Sequence, residues 1–290
     1  MAISAALIQQ IIGYQRNEIT EYHIYRRLAR RTIEPENRRI LEQIAEDERH
    51  HYNRWKYYTG TDAPPRRLRI WWFYWISRIF GLTFGIKLME KGEESTQENY
   101  TCLLSDIPEA KDIIQDESSH EVQLIGLLEE EKLQYVGSVV LGLNDALVEL
   151  TGALAGLTFA LQDTRLIVLT GSIMGIAAAL SMAASEYLST KSETTRKSPV
   201  KASLYTVIAY ILTVILLILP FLIFDNLFIS LGGTLLAALG LIAFFNYYIA
   251  VVRDDSFRLR FQEMALLSFG VAAVSFAIGW GLRFFLTIEL

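Results

Sequence analysis

Cysteine is almost missing from this sequence: Cys102 stands alone among 290 residues. A single thiol excludes a disulfide framework and a cysteine-built zinc site. Histidine is scarce too, with His23, His50, His51 and His120 all in the first part of the chain. Proline occurs six times. Pro35, Pro64–Pro65 and Pro108 stand where they would open helices rather than break them. The most uneven shortage is of charge. Of the 27 Lys and Arg and the 32 Asp and Glu, 18 and 22 lie in residues 1–133, so the longer remainder is nearly uncharged. That split excludes one soluble fold and excludes a disordered chain. The net charge of −5 argues against a nucleic-acid partner. An all-α chain is expected, with a four-helix polar domain at 1–133 and a five-helix transmembrane domain at 134–290.

Five apolar segments near bilayer-spanning length fall at about 136–161, 166–188, 202–224, 227–251 and 264–287. Gln162–Arg165, Leu188–Lys201, Asp225–Asn226 and Arg253–Gln262 connect them. Lys191, Arg196, Lys197 and Lys201 crowd one connection, and Arg253, Arg258 and Arg260 another. The opposite side carries Arg165 and, at its edge, Arg283. The bias puts both basic loops in the cytoplasm, with the N-terminal domain on that side and the C-terminus outside a cell membrane. Met1–Gln10 leads into a charged amphipathic stretch rather than a cleavage site, so no signal peptide is expected.

The first span contains Asp145 and Glu149, four apart and on one helix face. A lone carboxylate at mid-depth costs about 3 kcal/mol on insertion scales. Two on one face point to an aqueous cavity or a bound cation; plain helix packing is the competing reading. The second span ends with Met182 and Glu186, again four apart. A thioether beside carboxylates suits a borderline transition ion such as Fe²⁺ better than Na⁺ or Ca²⁺. Gly152 with Gly156, and Gly171 with Gly175, read as close-packing pairs.

Gly-Leu-Asn-Asp-Ala-Leu-Val at 142–148, Ser-Met-Ala-Ala-Ser-Glu-Tyr-Leu-Ser at 181–189 and the five-span layout resemble the vacuolar iron transporter family over about 134–290. The resemblance implies a homodimer moving Fe²⁺ or Mn²⁺ out of the cytosol, in exchange for protons. Asp145 and Met182 match that family's in-membrane metal residues. Eukaryotic members insert a glutamate-rich segment between spans two and three; here the loop runs only from Ser189 to about Lys201, with one Glu193.

The polar half reads as helices at about 3–31, 35–59, a long 66–104 and 108–132. It carries an internal duplication. Glu18 and Tyr25 recur 75 positions later as Glu93 and Tyr100, while Ile44, Asp47, Glu48 and His51 recur 69 later as Ile113, Asp116, Glu117 and His120. Glu-x-x-His puts a carboxylate and an imidazole one turn apart. Two such helices, plus a glutamate from each of the other two, compose a di-iron carboxylate arrangement.

On these residues the segment 5–130 resembles the rubrerythrin branch of the ferritin-like superfamily. The resemblance implies Glu18, Glu48, His51, Glu93, Glu117 and His120 as ligands of two Fe²⁺ or Mn²⁺ ions. Glu90 best matches a further, swinging glutamate, with Glu94 the alternative. The rubredoxin-type four-cysteine module is absent. Glu21 reads as a neighbour of the ligands or as solvated, and His23 and His50 as surface groups.

One segment remains. Pro64–Phe80 packs Trp71, Trp72, Phe73, Tyr74 and Trp75 among four arginines. It suits a helix lying on the cytoplasmic leaflet of the lipid bilayer, or aromatic filling between two bundles. The combined resemblance, to membrane-bound ferritin proteins, implies a metal exporter whose cytosolic domain binds, senses or delivers the ion. The alternative is a membrane-anchored di-iron ferroxidase or peroxidase.

Overall fold

The computed structural model describes residues 5–91, 107, 110–126, 135–193 and 197–286. Among them it has ten helices and no strand. The chain divides into two compact units, Met1–Glu130 and Glu131–Leu290.

In the first unit, α1 (Ala5–Ala29) and α2 (Pro35–Thr59) are joined by a short turn and pack along each other. Pro35 opens α2 and Gly60 follows its end, as the sequence suggests. Tyr22, Tyr25, Leu28, Leu41 and Ile44 form the core between them. The expected long third helix, 66–104, is divided within the described residues into α3 (Arg67–Phe80) and α4 (Leu82–Lys91), and 92–104 lie outside them. Gly81, at φ 100 and ψ 154, separates them in a conformation closed to ordinary L-residues. Ile70 and Phe73 of α3 and Ile86 and Met89 of α4 complete the core. The first unit ends, among the described residues, with α5 (Ala110–Gly126), which packs on α2.

The second unit contains α6 (Val136–Leu161), α7 (Thr164–Ser192), α8 (Pro199–Ile223), α9 (Leu227–Arg253) and α10 (Phe257–Leu286). Helices of 25 to 30 residues rise about 38–45 Å, enough to cross a bilayer. α6 is the hub, touching all four others. Its Leu147, Leu150 and Leu154 are buried against Tyr210, Leu217 and Ile242. The outward faces are apolar: Ile173 and Leu180 on α7, Leu236 on α9 and Leu266 and Val274 on α10 are all exposed. Water would not tolerate such a surface; lipid does.

Hydroxyls stitch the helices together, as expected where packing cannot rely on the hydrophobic effect. Thr206 Oγ1 donates to the Ser138 carbonyl at 3.1 Å, Ser268 Oγ to Leu147 at 2.8 Å and Thr234 Oγ1 to Leu217 at 2.8 Å. α6 and α10 pack closely at Gly156 and Gly279, where a Cβ on Gly279 would meet the Gly156 carbonyl at 2.3 Å. Asp163 and Asn226 cap α7 and α9 by accepting backbone N–H bonds. The expected loop 253–262 is shorter: α10 begins at Phe257, so Arg258 and Arg260 sit on its first turn and Arg260 pairs with Asp255 at 2.6 Å. Their polar side chains look like loop, but a membrane helix extends readily into the headgroup layer.

Candidate metal centre

Within the first unit, Glu48 and His51 on α2 and Glu117 and His120 on α5 point inward to meet Glu18 of α1. Ligand atoms of Glu18, Glu48, His51 and Glu117 lie within 4.8 Å of one another. The two Glu-x-x-His motifs also interlock. Glu48 turns Oε2 to His51 Nδ1, at 3.7 Å, and Oε1 to His120 Nδ1, at 3.3 Å. Glu117 turns Oε1 to His51 at 3.4 Å and Oε2 to His120 at 3.8 Å. Each carboxylate thus spans both imidazoles, the disposition a bridging ligand requires. The rings stand 5.9 Å apart.

The far side of each ring is held as well. His51 Nε2 meets Asp116 Oδ2, and His120 Nε2 meets Asp47 Oδ2, both at 3.2 Å. Each aspartate therefore orients the histidine of the other repeat. A carboxylate on one ring nitrogen fixes the tautomer that leaves the other nitrogen free for a metal. On α1, Glu18 Oε1 accepts a 3.0 Å bond from the Trp55 indole.

The electrostatics favour positive charge. Burial would lower the His51 pKa, but Glu117, Glu18 and Glu48 outweigh it and raise it far above the usual imidazole range. Burial likewise opposes the charged form of His120, while Glu117 and Glu48 lift it to about 10. Burial and the Glu117 charge push Glu48 well up. Burial would raise Glu117 too, yet the His120 and His51 rings bring it down to about 2. The buried atoms Glu48 Oε2, His51 Nδ1 and His120 Nδ1 make no hydrogen bond of good geometry. Buried polar atoms rarely go without partners unless a ligand supplies them. Hard oxygen and borderline nitrogen donors converge here, so the residues fit a pair of divalent first-row ions.

Other expected residues fall elsewhere. Glu93 and Glu94 lie outside the described residues; Glu90 is on α4, its side chain undescribed. Glu21 is buried, not solvated, and pairs with Arg69 at 3.8 Å. His50 is exposed, and His23 is half-buried against Tyr22. Burial, Arg27 and Arg26 lower the His23 pKa. The sequence reading missed the roles of Asp47 and Asp116, although their shared repeat offset signalled them. It also missed Trp55, one turn beyond His51 on the ligand face.

In the second unit the four acidic and thioether positions lie on α6 and α7. Asp145 is half-buried and Glu149 exposed on α6. Tyr210 of α8 donates its hydroxyl to Glu149 Oε2 at 3.0 Å. Glu186 Oε1 accepts from Ser138 Oγ at 2.5 Å and Thr190 Oγ1 at 3.5 Å. Met182 packs against the membrane core.

Comparison with known families gives two matches. The Rubrerythrin family model matches residues 3–58, which carry Glu18, Glu48 and His51. The VIT family model matches residues 136–197, which carry Asp145, Glu149, Met182 and Glu186. Together the two matches are consistent with a fusion of a rubrerythrin-type domain and a VIT-type membrane domain. The VIT match points to a membrane metal transporter, and the rubrerythrin match to a di-iron site. Neither a curated protein nor a solved structure matches the chain.

Proposed function

We propose that this protein exports Fe²⁺, Mn²⁺ or both from the cytosol in exchange for protons, and that its N-terminal bundle binds the same ion and senses or delivers it. The observation that carries the reading is the presence of two carboxylate systems in one chain, one buried among imidazoles and one inside apolar helices. Domains of 1–133 and 134–290 divide the work. In the first, Glu18, Glu48, His51, Glu117 and His120 hold the metal, joined by Glu93 and Glu90. Bound there, a pair of Fe²⁺ ions supplies one-electron chemistry. Asp47 and Asp116 keep the imidazoles aimed.

In the second domain, Asp145, Glu149, Met182 and Glu186 form the ion path. The hydroxyls of Tyr210 and Ser138 occupy Glu149 and Glu186 when no cation does. Such neutral donors are exchangeable, and a carboxylate accepts a proton or a cation in turn. Lys191, Arg196, Lys197, Lys201, Arg253, Arg258 and Arg260 against Arg165 support a cytosolic bundle and an external C-terminus in a cell-membrane homodimer. Flux assays in proteoliposomes test this. Fe²⁺ or Mn²⁺ movement that Asp145→Ala abolishes is expected; intact flux in that variant refutes the path.

The bridging disposition of Glu48 and Glu117 favours a second reading, a membrane-anchored ferroxidase or peroxidase. Oxidation of Fe²⁺ at full rate by Asp145→Ala, with no flux in either protein, would select it.

A further inference from the structure

Helix α3 has two apolar faces. Ile70, Phe73 and Ser77 are buried on one. On the opposite side Leu68 is 85% exposed, Trp71 59%, Trp72 58%, Trp75 40% and Ile79 66%. The spacing 68, 71, 72, 75, 79 makes these five one continuous stripe along the helix. Three tryptophans exposed in a row are not needed by the core, which α3 already reaches through its other face.

The helix is also fastened in this attitude. The Arg66 backbone N–H donates to Thr20 Oγ1 at 3.0 Å, and Arg69 pairs with Glu21 while lying over the Phe73 ring. The stripe is therefore a fixed feature of the unit's surface. Arg67 and Arg78 flank it, and with Arg66 they make no ion pair among the described residues.

We infer that the Leu68–Trp71–Trp72–Trp75–Ile79 stripe seats in the headgroup and upper acyl layer of an anionic lipid leaflet, so that the di-metal bundle is held on the membrane surface. Three observations select lipid. First, the composition is interfacial: indole rings prefer the boundary of hydrocarbon and water, and arginines beside them meet lipid phosphates. Second, the linker tethers the bundle to a membrane-embedded unit. Only nine residues link α5 to the membrane-length helix α6, a reach of at most about 35 Å.

Third, a second copy of this surface is a poor occupant. Residues 64–89 hold Arg66, Arg67, Arg69, Arg78 and Lys87 and no acidic residue. Two-fold packing of the stripe on itself would set arginine against arginine.

The test uses the full chain with Trp280→Phe, which leaves Trp55 and the three stripe tryptophans as emitters. It is reconstituted in phosphatidylglycerol–phosphatidylcholine vesicles with and without bromine on the upper acyl carbons. Emission about twofold lower in brominated vesicles is expected, since three of its four indoles lie on the stripe. Replacing Trp71, Trp72 and Trp75 by Phe should remove that difference while the bundle's metal content stays unchanged. The drop should be larger in phosphatidylglycerol-rich vesicles than in pure phosphatidylcholine, and Arg67→Gln with Arg78→Gln should erase that margin. Equal emission in brominated and plain vesicles overturns the inference. Unquenched emission with disulfide capture of Trp72→Cys between copies, in a Cys102→Ser chain, overturns it in favour of a protein contact.

Discussion

The two carboxylate systems differ in how they are satisfied without a cation. In the bundle, Glu48 Oε2, His51 Nδ1 and His120 Nδ1 face one another with no well-made hydrogen bond, while aspartates clamp the rings from behind. In the membrane unit, Glu149 and Glu186 already accept bonds from Tyr210 and Ser138 on neighbouring helices. A rigid site with unmet donors holds an ion tightly, because little reorganises when the ion arrives. A carboxylate that trades one hydroxyl bond for a cation, and trades back, binds weakly enough to release. On the proposed function the contrast is one between a holding site and a passing site, and substitutions can break or sharpen it.

The largest effect is expected from Glu48→Gln, which removes the charge and one oxygen of a carboxylate that spans both imidazoles. Titration should show metal affinity of the bundle lowered by well over the roughly 10–100-fold of a mere supporting residue. Next come Asp47→Asn and Asp116→Asn. Each should cost about 10–100-fold in metal affinity, and by about the same factor, since each holds one ring at the same 3.2 Å. Unequal losses would break the symmetry argued from the repeat.

Acid should weaken the holding site. Surrounding carboxylates raise His51 and His120, the latter to about 10, so the metal-free rings carry protons at neutral pH. A metal must displace them. Affinity should fall as pH falls, by about tenfold per pH unit for each proton displaced. Calorimetry in buffers of different protonation heat checks the proton count.

Smaller effects follow. Trp55→Phe removes one hydrogen bond to Glu18, about 1 kcal/mol or fivefold in affinity. Tyr210→Phe removes the donor to Glu149, and a membrane hydrogen bond averages about 0.6 kcal/mol. Flux should then change by no more than a few-fold, and metal retention by the bundle not at all.

Much of this was legible in the sequence, for physical reasons. Glu18, Glu48, His51, Glu117 and His120 announced themselves because the duplication repeats chemistry, not only apolar character. The membrane helices showed because hydrocarbon imposes both length and composition; α6 and α9 begin where the polar connections end. What stayed hidden was set by local geometry or by partners distant in sequence. The stretch 66–104 reads as one helix, and within the described residues the positive-φ conformation of Gly81 divides it. Glu21 reads as a neighbour of the ligands or as solvated, and its partner Arg69, 48 positions away, is not legible. The hydroxyls of Tyr210 and Ser138 carry no sequence motif, and their reach to Glu149 and Glu186 depends on how the helices pack.

The central claim is that the bundle is a metal-holding site distinct from the ion path. Elemental analysis of the purified full chain beside its Glu48→Gln and Asp145→Ala variants tests it most directly. About two ions per chain are expected in the first, a loss of them in Glu48→Gln, and no loss in Asp145→Ala. Metal retained by Glu48→Gln but missing from Asp145→Ala would contradict it.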